Sequence, residues 1–120
     1  MAKIDKNLKE LLENNTLAFA TSYNDAPNVI AIGCVKVISE NELIITDNYM
    51  NKTKSNLLKN KNIALVVWNK GCDAGYQLKG EADYMTKGKW FDFVKNMEEN
   101  KGMPAKAAIL VKIKEIFKLA

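Results

Sequence analysis

Residues 28–38 constrain the fold most, because they predict one long β-strand with apolar side chains on both faces. Alternate residues of a strand point to opposite sides of the sheet. Both sets are apolar here: Val29, Ala31, Gly33, Val35 and Val37 on one face, and Ile30, Ile32, Cys34 and Ile38 on the other. Such a strand needs a core on one side and a second cover on the other.

The rest of the chain divides into short segments that predict about six strands with short helices between them. The predicted strands are 17–23, 28–38, 43–46, 63–68, 75–85 and 107–113, with 116–119 as an extension. Three short helices are predicted: one that starts after Asp5, one over about 52–59, and one that follows Thr86. Asp5 and Thr86 are the candidate caps of the first and third helices. Short connections favour antiparallel pairing, and closure into a barrel removes sheet edges. We therefore expect one mainly β domain across residues 1–120.

The basic residues exclude several kinds of site. All 18 are lysine, and the chain has no histidine. Ser-His-Asp and Cys-His catalysis are therefore excluded, as is any histidine metal site. Bidentate guanidinium clamps are absent too. We predict no catalytic side chain and no metal ligand.

Charge and apolar runs indicate the surroundings in which the chain works. A formal net charge of +4 favours anionic ligands, but the lysines are scattered among 14 acids, so nucleic-acid binding is not predicted. No apolar run approaches the ~20 residues of a membrane span, and the polar N-terminus does not resemble a signal peptide. Cys34 and Cys72 are expected to be free thiols, with Cys34 buried, as in a cytoplasmic protein.

Residues 45–58 contain the clearest candidate for a ligand site. Lys52 and Thr53 begin a predicted helix, where free N–H groups and the helix dipole favour a phosphate. Lys52 could equally be a solvated lysine beside an ordinary cap, and spacing alone does not decide between the two. Asp47, Asn48 and Tyr49 could hydrogen-bond the edge of a heterocyclic ring, or simply form a turn.

Two further features allow both a functional and a structural interpretation. Gly33 would permit close approach of a ligand or a second backbone, or would mark a bend or bulge. Gln77 and Lys79 share the polar face of the predicted strand 75–85, whose clean alternation indicates one wet side. They could reach an anion or a carbonyl, although polar residues on a wet face need no functional explanation.

Taken together, these segments resemble the FMN-binding split-barrel family, the pyridoxamine 5′-phosphate oxidase-like proteins. The similar pieces occur in the family's order and cover nearly the whole chain: 19–21, 26–29, 35–38, 47–53, 56–57, 64–68 and 75–80. The most specific pair is Asp-Asn-Tyr-Met-Asn-Lys-Thr at 47–53 followed by Gly-Tyr-Gln-Leu-Lys-Gly at 75–80.

The resemblance implies a six-stranded antiparallel split β-barrel that forms a homodimer, with one FMN in each of two clefts between subunits. It implies that Lys52 and Thr53 bind the FMN phosphate. The other implied cofactor contacts come from the helix start, the preceding bend and a neighbouring strand: Asn51, Thr46, Asp47, Asn48, Ile30, Ala31, Ile32 and Gly33. Gln77 and Lys79 are expected near the cleft.

The chain also departs from the family pattern. True pyridoxamine phosphate oxidases hold their substrate phosphate with additional arginine and histidine, and the haem-degrading branch uses a histidine ligand. Neither residue type occurs here, so we expect neither activity. The expected function is an FMN-dependent oxidoreductase whose substrate the sequence does not name. The alternatives are a non-enzymatic electron carrier or flavin store, a deazaflavin protein, and an anion-binding module without flavin.

Overall fold

Seven antiparallel strands form one sheet in the computed structural model, which describes residues 2–33 and 35–119. The elements, in chain order, are α1 (Lys6–Asn14), β1 (Leu17–Tyr23), β2 (Ala26–Ile32), β3 (Val35–Ser39), β4 (Glu42–Asp47), α2 (Lys52–Leu57), β5 (Asn62–Trp68), β6 (Gly75–Met85), α3 (Lys89–Lys95), a 3-10 turn (Glu98–Asn100) and β7 (Ala107–Lys118). The strand order is β2-β1-β5-β6-β7-β4-β3. The predicted mainly β antiparallel architecture with short helices is confirmed.

The count is seven rather than six because the predicted strand 28–38 is two strands. β2 pairs with β1, whereas β3 pairs with β4 at the opposite edge of the sheet. Gly33 therefore follows a strand instead of lying within one. The predicted burial of Cys34 concerns a residue outside those described.

The residues that face the core change from even-numbered to odd-numbered positions between β2 and β3, which explains why both faces of segment 28–38 are apolar. In β2 the even positions Ile30 and Ile32 pack toward the core, whereas in β3 the odd positions Val35 and Val37 do so. Since side chains alternate along a strand, the inward set changes parity between the two strands. The outer face of β2 is left uncovered, and Val29 is 64% exposed.

The main core packs side chains of the sheet with those of α1 and with Leu57 of α2. Its largest fully buried side chains come from five strands and α1, and include Leu12, Phe19, Leu43, Leu65, Leu78 and Ile109. Asp5 caps α1 as predicted, because its side chain accepts a hydrogen bond from the backbone N–H of Leu8 at 2.8 Å.

A smaller cluster lies under α3 on the other face of the sheet. Val94 of α3 packs there with Ile44, Ala108 and Leu110. The predicted Thr86 cap is wrong, because α3 begins after Gly88, whose φ of 96° suits glycine. Among the described residues, no helix combines the length and the apolar character needed to cross a membrane.

Gly80 marks a bulge between the two longest strands. The β6–β7 register shifts between Lys79 and Gly80. A Cβ atom at Gly80 would lie 1.9 Å from the carbonyl oxygen of Lys112 and 3.1 Å from the Cα of Ile113. Both atoms are backbone, so only glycine allows the strands to approach this closely.

Candidate functional site

A cleft of about 730 Å³ lies where the ends of β2 and β4 meet the start of α2 and the segment 99–103. Its volume is within the range of roughly 300–1,000 Å³ that is usual for small-molecule sites. Nine of the twelve predicted site residues line it: Ile30, Ala31, Ile32, Gly33, Thr46, Asn48, Asn51, Lys52 and Thr53.

The start of α2 forms the cationic wall of the cleft. Lys52 is exposed there, and Asn51 is the N-cap but makes no side-chain capping hydrogen bond. The helix has six residues and ends at Leu57, shorter than the predicted 52–59. A helix this short contributes little dipole, so any anion at this wall would depend mainly on side chains and nearby N–H groups.

Thr53 is held from beneath by a buried polar cluster. Its side chain is 1% exposed, and its hydroxyl accepts a hydrogen bond from Asn28 Nδ2 at 3.0 Å. The same nitrogen lies 3.3 Å from the hydroxyl of Thr21, to which Asn56 Nδ2 also donates at 3.1 Å. Asn28, Thr21 and Asn56 are not among the predicted site residues, although all three lie in segments that carry the family resemblance. A second signal was the position of Thr21, a polar residue on the inward face of β1.

Asp47, a predicted contact, lies behind the wall rather than in it. The residue is fully buried, and its carboxylate accepts hydrogen bonds from the backbone N–H of Met50 at 2.7 Å and from the Tyr84 hydroxyl. Lys106 Nζ lies 3.9 Å from the same carboxylate. Burial, together with the hydrogen bond to Asp47, raises the pKa of Tyr84 well above its usual range. Asp47 therefore fixes the bend that leads into α2.

Two features of the cleft suit a polar, bulky ligand. Thr46 is 8% exposed, and its hydroxyl oxygen is buried without a hydrogen-bond partner among the described residues. An unpaired buried polar group is costly, so a ligand group that supplied a partner would be favoured. A Cβ at Gly33 would meet no atom of the residues that the structure describes within 4 Å, which leaves open space on that side of the cleft.

The far wall comes from a segment distant in sequence. Asn48 and Asn100 exchange two amide hydrogen bonds, at 2.8 and 3.1 Å, and the N–H of Ala105 donates to Asn48 at 2.9 Å. Glu99 forms an ion pair with Lys36, and the hydrogen bond from Lys36 lowers the pKa of the Glu99 carboxyl. These contacts hold the segment 99–103 against the bend.

Five residues of the lining are not among the twelve predicted contacts: Tyr49, Met50, Glu99, Asn100 and Met103. The sequence offered Tyr49 only as a candidate for the edge of a ring. Met50 lies in the segment 47–53 that carries the family resemblance, so local sequence could have indicated it. The other three reach the cleft only through tertiary contacts, for which the sequence offers no local signal. Tyr49 is 71% and Met103 42% exposed, so the cleft is open to solvent.

Gln77 and Lys79 are not brought to this cleft. Both lie on β6, where Gln77 pairs with Val66 and Phe117 of the neighbouring strands. Lys79 is exposed, with its Nζ 5.9 Å from the centre of the Phe117 ring. Within one chain, these two predicted contacts are separate from the other nine.

Comparison with known proteins identifies relatives of the whole chain. The sequence model of the pyridoxamine 5′-phosphate oxidase family matches residues 4–120. The uncharacterized protein MJ0282 of Methanocaldococcus jannaschii is 34% identical over 125 residues, which cover 99% of this chain and 83% of that protein.

Two solved structures show the same fold at lower identity. HupZ from Group A Streptococcus has a TM-score of 0.89 and 22% identity, with 97% of this chain and 94% of that chain covered. An FMN-binding protein from Syntrophomonas wolfei has a TM-score of 0.77 and 20% identity, with 93% and 83% covered. With the family model matching residues 4–120 and a relative above 30% identity, this chain belongs to the pyridoxamine 5′-phosphate oxidase family.

Proposed function

We propose that the chain binds FMN in the cleft and acts as an FMN-dependent oxidoreductase. The observation that carries this proposal is that Lys52, the buried hydroxyl of Thr53 and the unpaired hydroxyl of Thr46 line the same cleft. An ammonium group and a hydroxyl suit a phosphate, and a polar group without a partner suits the edge of a flavin ring. The family and the similarity to an FMN-binding protein support the same assignment.

The lining suggests how the cofactor would be held. Lys52 and Thr53 would bind the phosphate, and Thr46 and Asn48 would face polar atoms of the ribityl chain or the ring. The apolar segment 30–32 would contact the flat ring. These residues fit the group, since cationic, polar and apolar surfaces lie along one cleft.

The side chains of the cleft bind and orient rather than transfer protons. FMN, when bound, supplies the electron-transfer chemistry. Glu99 faces the cleft, but Lys36 lowers its pKa, so Glu99 stays ionised at neutral pH and does not serve as a proton donor. The exposure of Met103 and Tyr49 leaves a route by which a small substrate could reach the cofactor.

The absorption spectrum of the purified protein, taken before and after adding FMN and removing the excess, tests the cofactor. A retained oxidised-flavin spectrum is expected, and a colourless protein that does not retain FMN would contradict the proposal. A parallel titration with a deazaflavin tests that cofactor. Steady oxidation of a reduced nicotinamide by the loaded protein would establish an enzyme. Electron exchange with a redox protein without such turnover would instead identify a carrier.

We further propose that two copies of the chain form a dimer. The outer face of β2 is apolar and exposed, with Val29 64% accessible and Ala31 beside it. In a dimer, Gln77 and Lys79 of one copy could reach the cleft of the other, as the resemblance implies. Light scattering coupled to gel filtration should give twice the chain mass, and Val29→Glu should give the single mass. A monomeric wild type would contradict both the dimer and the contribution of Gln77 and Lys79 to the cleft of a second copy.

A further inference from the structure

We infer that Asn28 is a positioning residue that keeps the Thr53 hydroxyl aimed as a hydrogen-bond donor at a phosphate in the cleft. The inference rests on the proposed function, since the phosphate is that of FMN. Asn28 is half-buried beneath the wall and does not line the cleft, so it acts through Thr53.

Hydrogen-bond counting supports this role. The Asn28 amide nitrogen carries two hydrogens, and two hydroxyl oxygens lie within reach, Thr53 Oγ1 at 3.0 Å and Thr21 Oγ1 at 3.3 Å. A threonine hydroxyl that accepts from this amide still has its own proton to donate. No side-chain hydrogen bond within residues 2–33 and 35–119 takes the Thr53 proton. The cleft that Thr53 lines is the remaining place for an acceptor.

The surrounding structure holds Asn28 in this orientation. Asn28 lies directly opposite Thr21 in the β1–β2 register, so the sheet fixes its backbone. Asn56 of α2 donates to the same Thr21 hydroxyl at 3.1 Å, which ties the helix to the strand pair. Thr53 is 1% exposed and cannot turn freely. A donor oriented before binding loses little entropy when the anion arrives.

The chemistry requires an amide at position 28. Donation from Asn28 polarises the Thr53 hydroxyl and strengthens it as a donor. A carboxylate at the same place would instead accept the Thr53 proton and turn the hydroxyl lone pairs toward the anion. Asn28→Asp therefore reverses the proposed hydrogen bond with almost no change of shape.

Titrations with FMN and with riboflavin, which lacks the phosphate, test the inference. The readout is phosphate selectivity, defined as the riboflavin Kd divided by the FMN Kd. Asn28→Ala should lower this selectivity by about 2- to 12-fold, the equivalent of one ordinary hydrogen bond. Asn28→Asp should lower it further, while the riboflavin Kd stays unchanged in both variants.

A double-mutant cycle with Thr53→Val separates positioning from direct binding. Thr53→Val should lower selectivity by about 12- to 140-fold, the scale of a hydrogen bond to a charged group. Adding Asn28→Ala to this variant should change selectivity by less than about twofold, because the residue through which Asn28 acts is gone.

Asn60→Ala is the matched control. Asn60 is another half-buried amide near α2, and its Nδ2 donates to the carbonyl and hydroxyl of Ser22 at 3.0 and 3.2 Å, away from the cleft. It should lower the melting temperature and leave selectivity unchanged.

Three results would overturn the positioning role. One is an equal loss of FMN and riboflavin affinity in Asn28→Ala, which indicates a structural effect. The second is full additivity with Thr53→Val, and the third is unchanged selectivity in Asn28→Asp. If Asn28→Ala does not fold, the near-isosteric Asn28→Asp decides by itself. A wild type that does not bind FMN refutes the proposed function, and the positioning role with it; FMN binding without the Asn28 effect refutes only the positioning role.

Discussion

Tyr84→Phe tests the network that fixes the bend at the cleft. Phenylalanine keeps the ring in place but removes the hydroxyl that donates to Asp47. In this variant the fully buried carboxylate of Asp47 has two remaining partners, the N–H of Met50 at 2.7 Å and the Lys106 ammonium at 3.9 Å. Losing a hydrogen bond to a charged group costs about 1.5–3 kcal/mol. The free energy of unfolding at neutral pH should fall by that amount.

The pH dependence of this difference gives a second, independent readout. The pKa of Tyr84 in the folded chain is raised above its ordinary value of 10.0. As pH rises, the Tyr84 hydroxyl therefore loses its proton at a lower pH in the unfolded chain than in the folded chain. The stability that the protonated hydroxyl contributes is complete below pH 10 and is lost above it. The gap between wild type and Tyr84→Phe should shrink above pH 10, by at most about 1.4 kcal/mol per pH unit.

Urea unfolding from pH 7 to pH 11 measures both effects. Tyr49→Phe is the matched control, because Tyr49 is 71% exposed and its change should leave the curve as in wild type. The reasoning is refuted if Tyr84→Phe is as stable as wild type at pH 7, or if the gap stays constant to pH 11.

Three other substitutions test the cleft and the sheet. Lys52→Ala should weaken FMN binding by about 1–3 kcal/mol and spare riboflavin, whereas Lys95→Ala, on the exposed side of α3, should change neither affinity in the same titration. Gly80→Ala should lower the free energy of unfolding by at least about 1–3 kcal/mol in the same urea assay, as in overpacked cores. Gly71→Ala is its control: the new Cβ would meet its nearest neighbour at 3.8 Å, so the free energy of unfolding should change by no more than about 0.5 kcal/mol. Thr46→Val should stabilise the ligand-free protein by about 1 kcal/mol and weaken FMN binding; a less stable variant with normal FMN affinity would contradict the account of its unpaired hydroxyl.

Features set by local sequence could be predicted. The alternation over Gly75–Met85 predicted β6 because one side of that strand faces water. The Asp5 cap depends on a contact three residues away. Most of the predicted contacts fell around one cleft because they come from two continuous segments, 30–33 and 46–53, whose ends meet.

Features set by tertiary structure could not be predicted. The segment 28–38 reads as one strand because its apolar pattern is unbroken, yet its two halves pair at opposite edges of the sheet. The approach of residues 99–103 depends on the Asn48–Asn100 amide pair, 52 residues apart. The hydrogen bond from Asn28 to Thr53 joins residues 25 apart in sequence and depends on the packing of α2 against β2.

The position of β7 has a consequence for how the chain folds. This last strand lies between β6 and β4, and no other pairing joins the β2-β1-β5-β6 ribbon to the β4-β3 hairpin in the described sheet. Without residues 107–118 the strand ladder would be divided into two groups, with the lining residues 30–32 on the β2 side and Thr46 on the β4 side. Because domains generally fold as units, the two sides of the cleft take their places together only when β7 pairs with both β6 and β4.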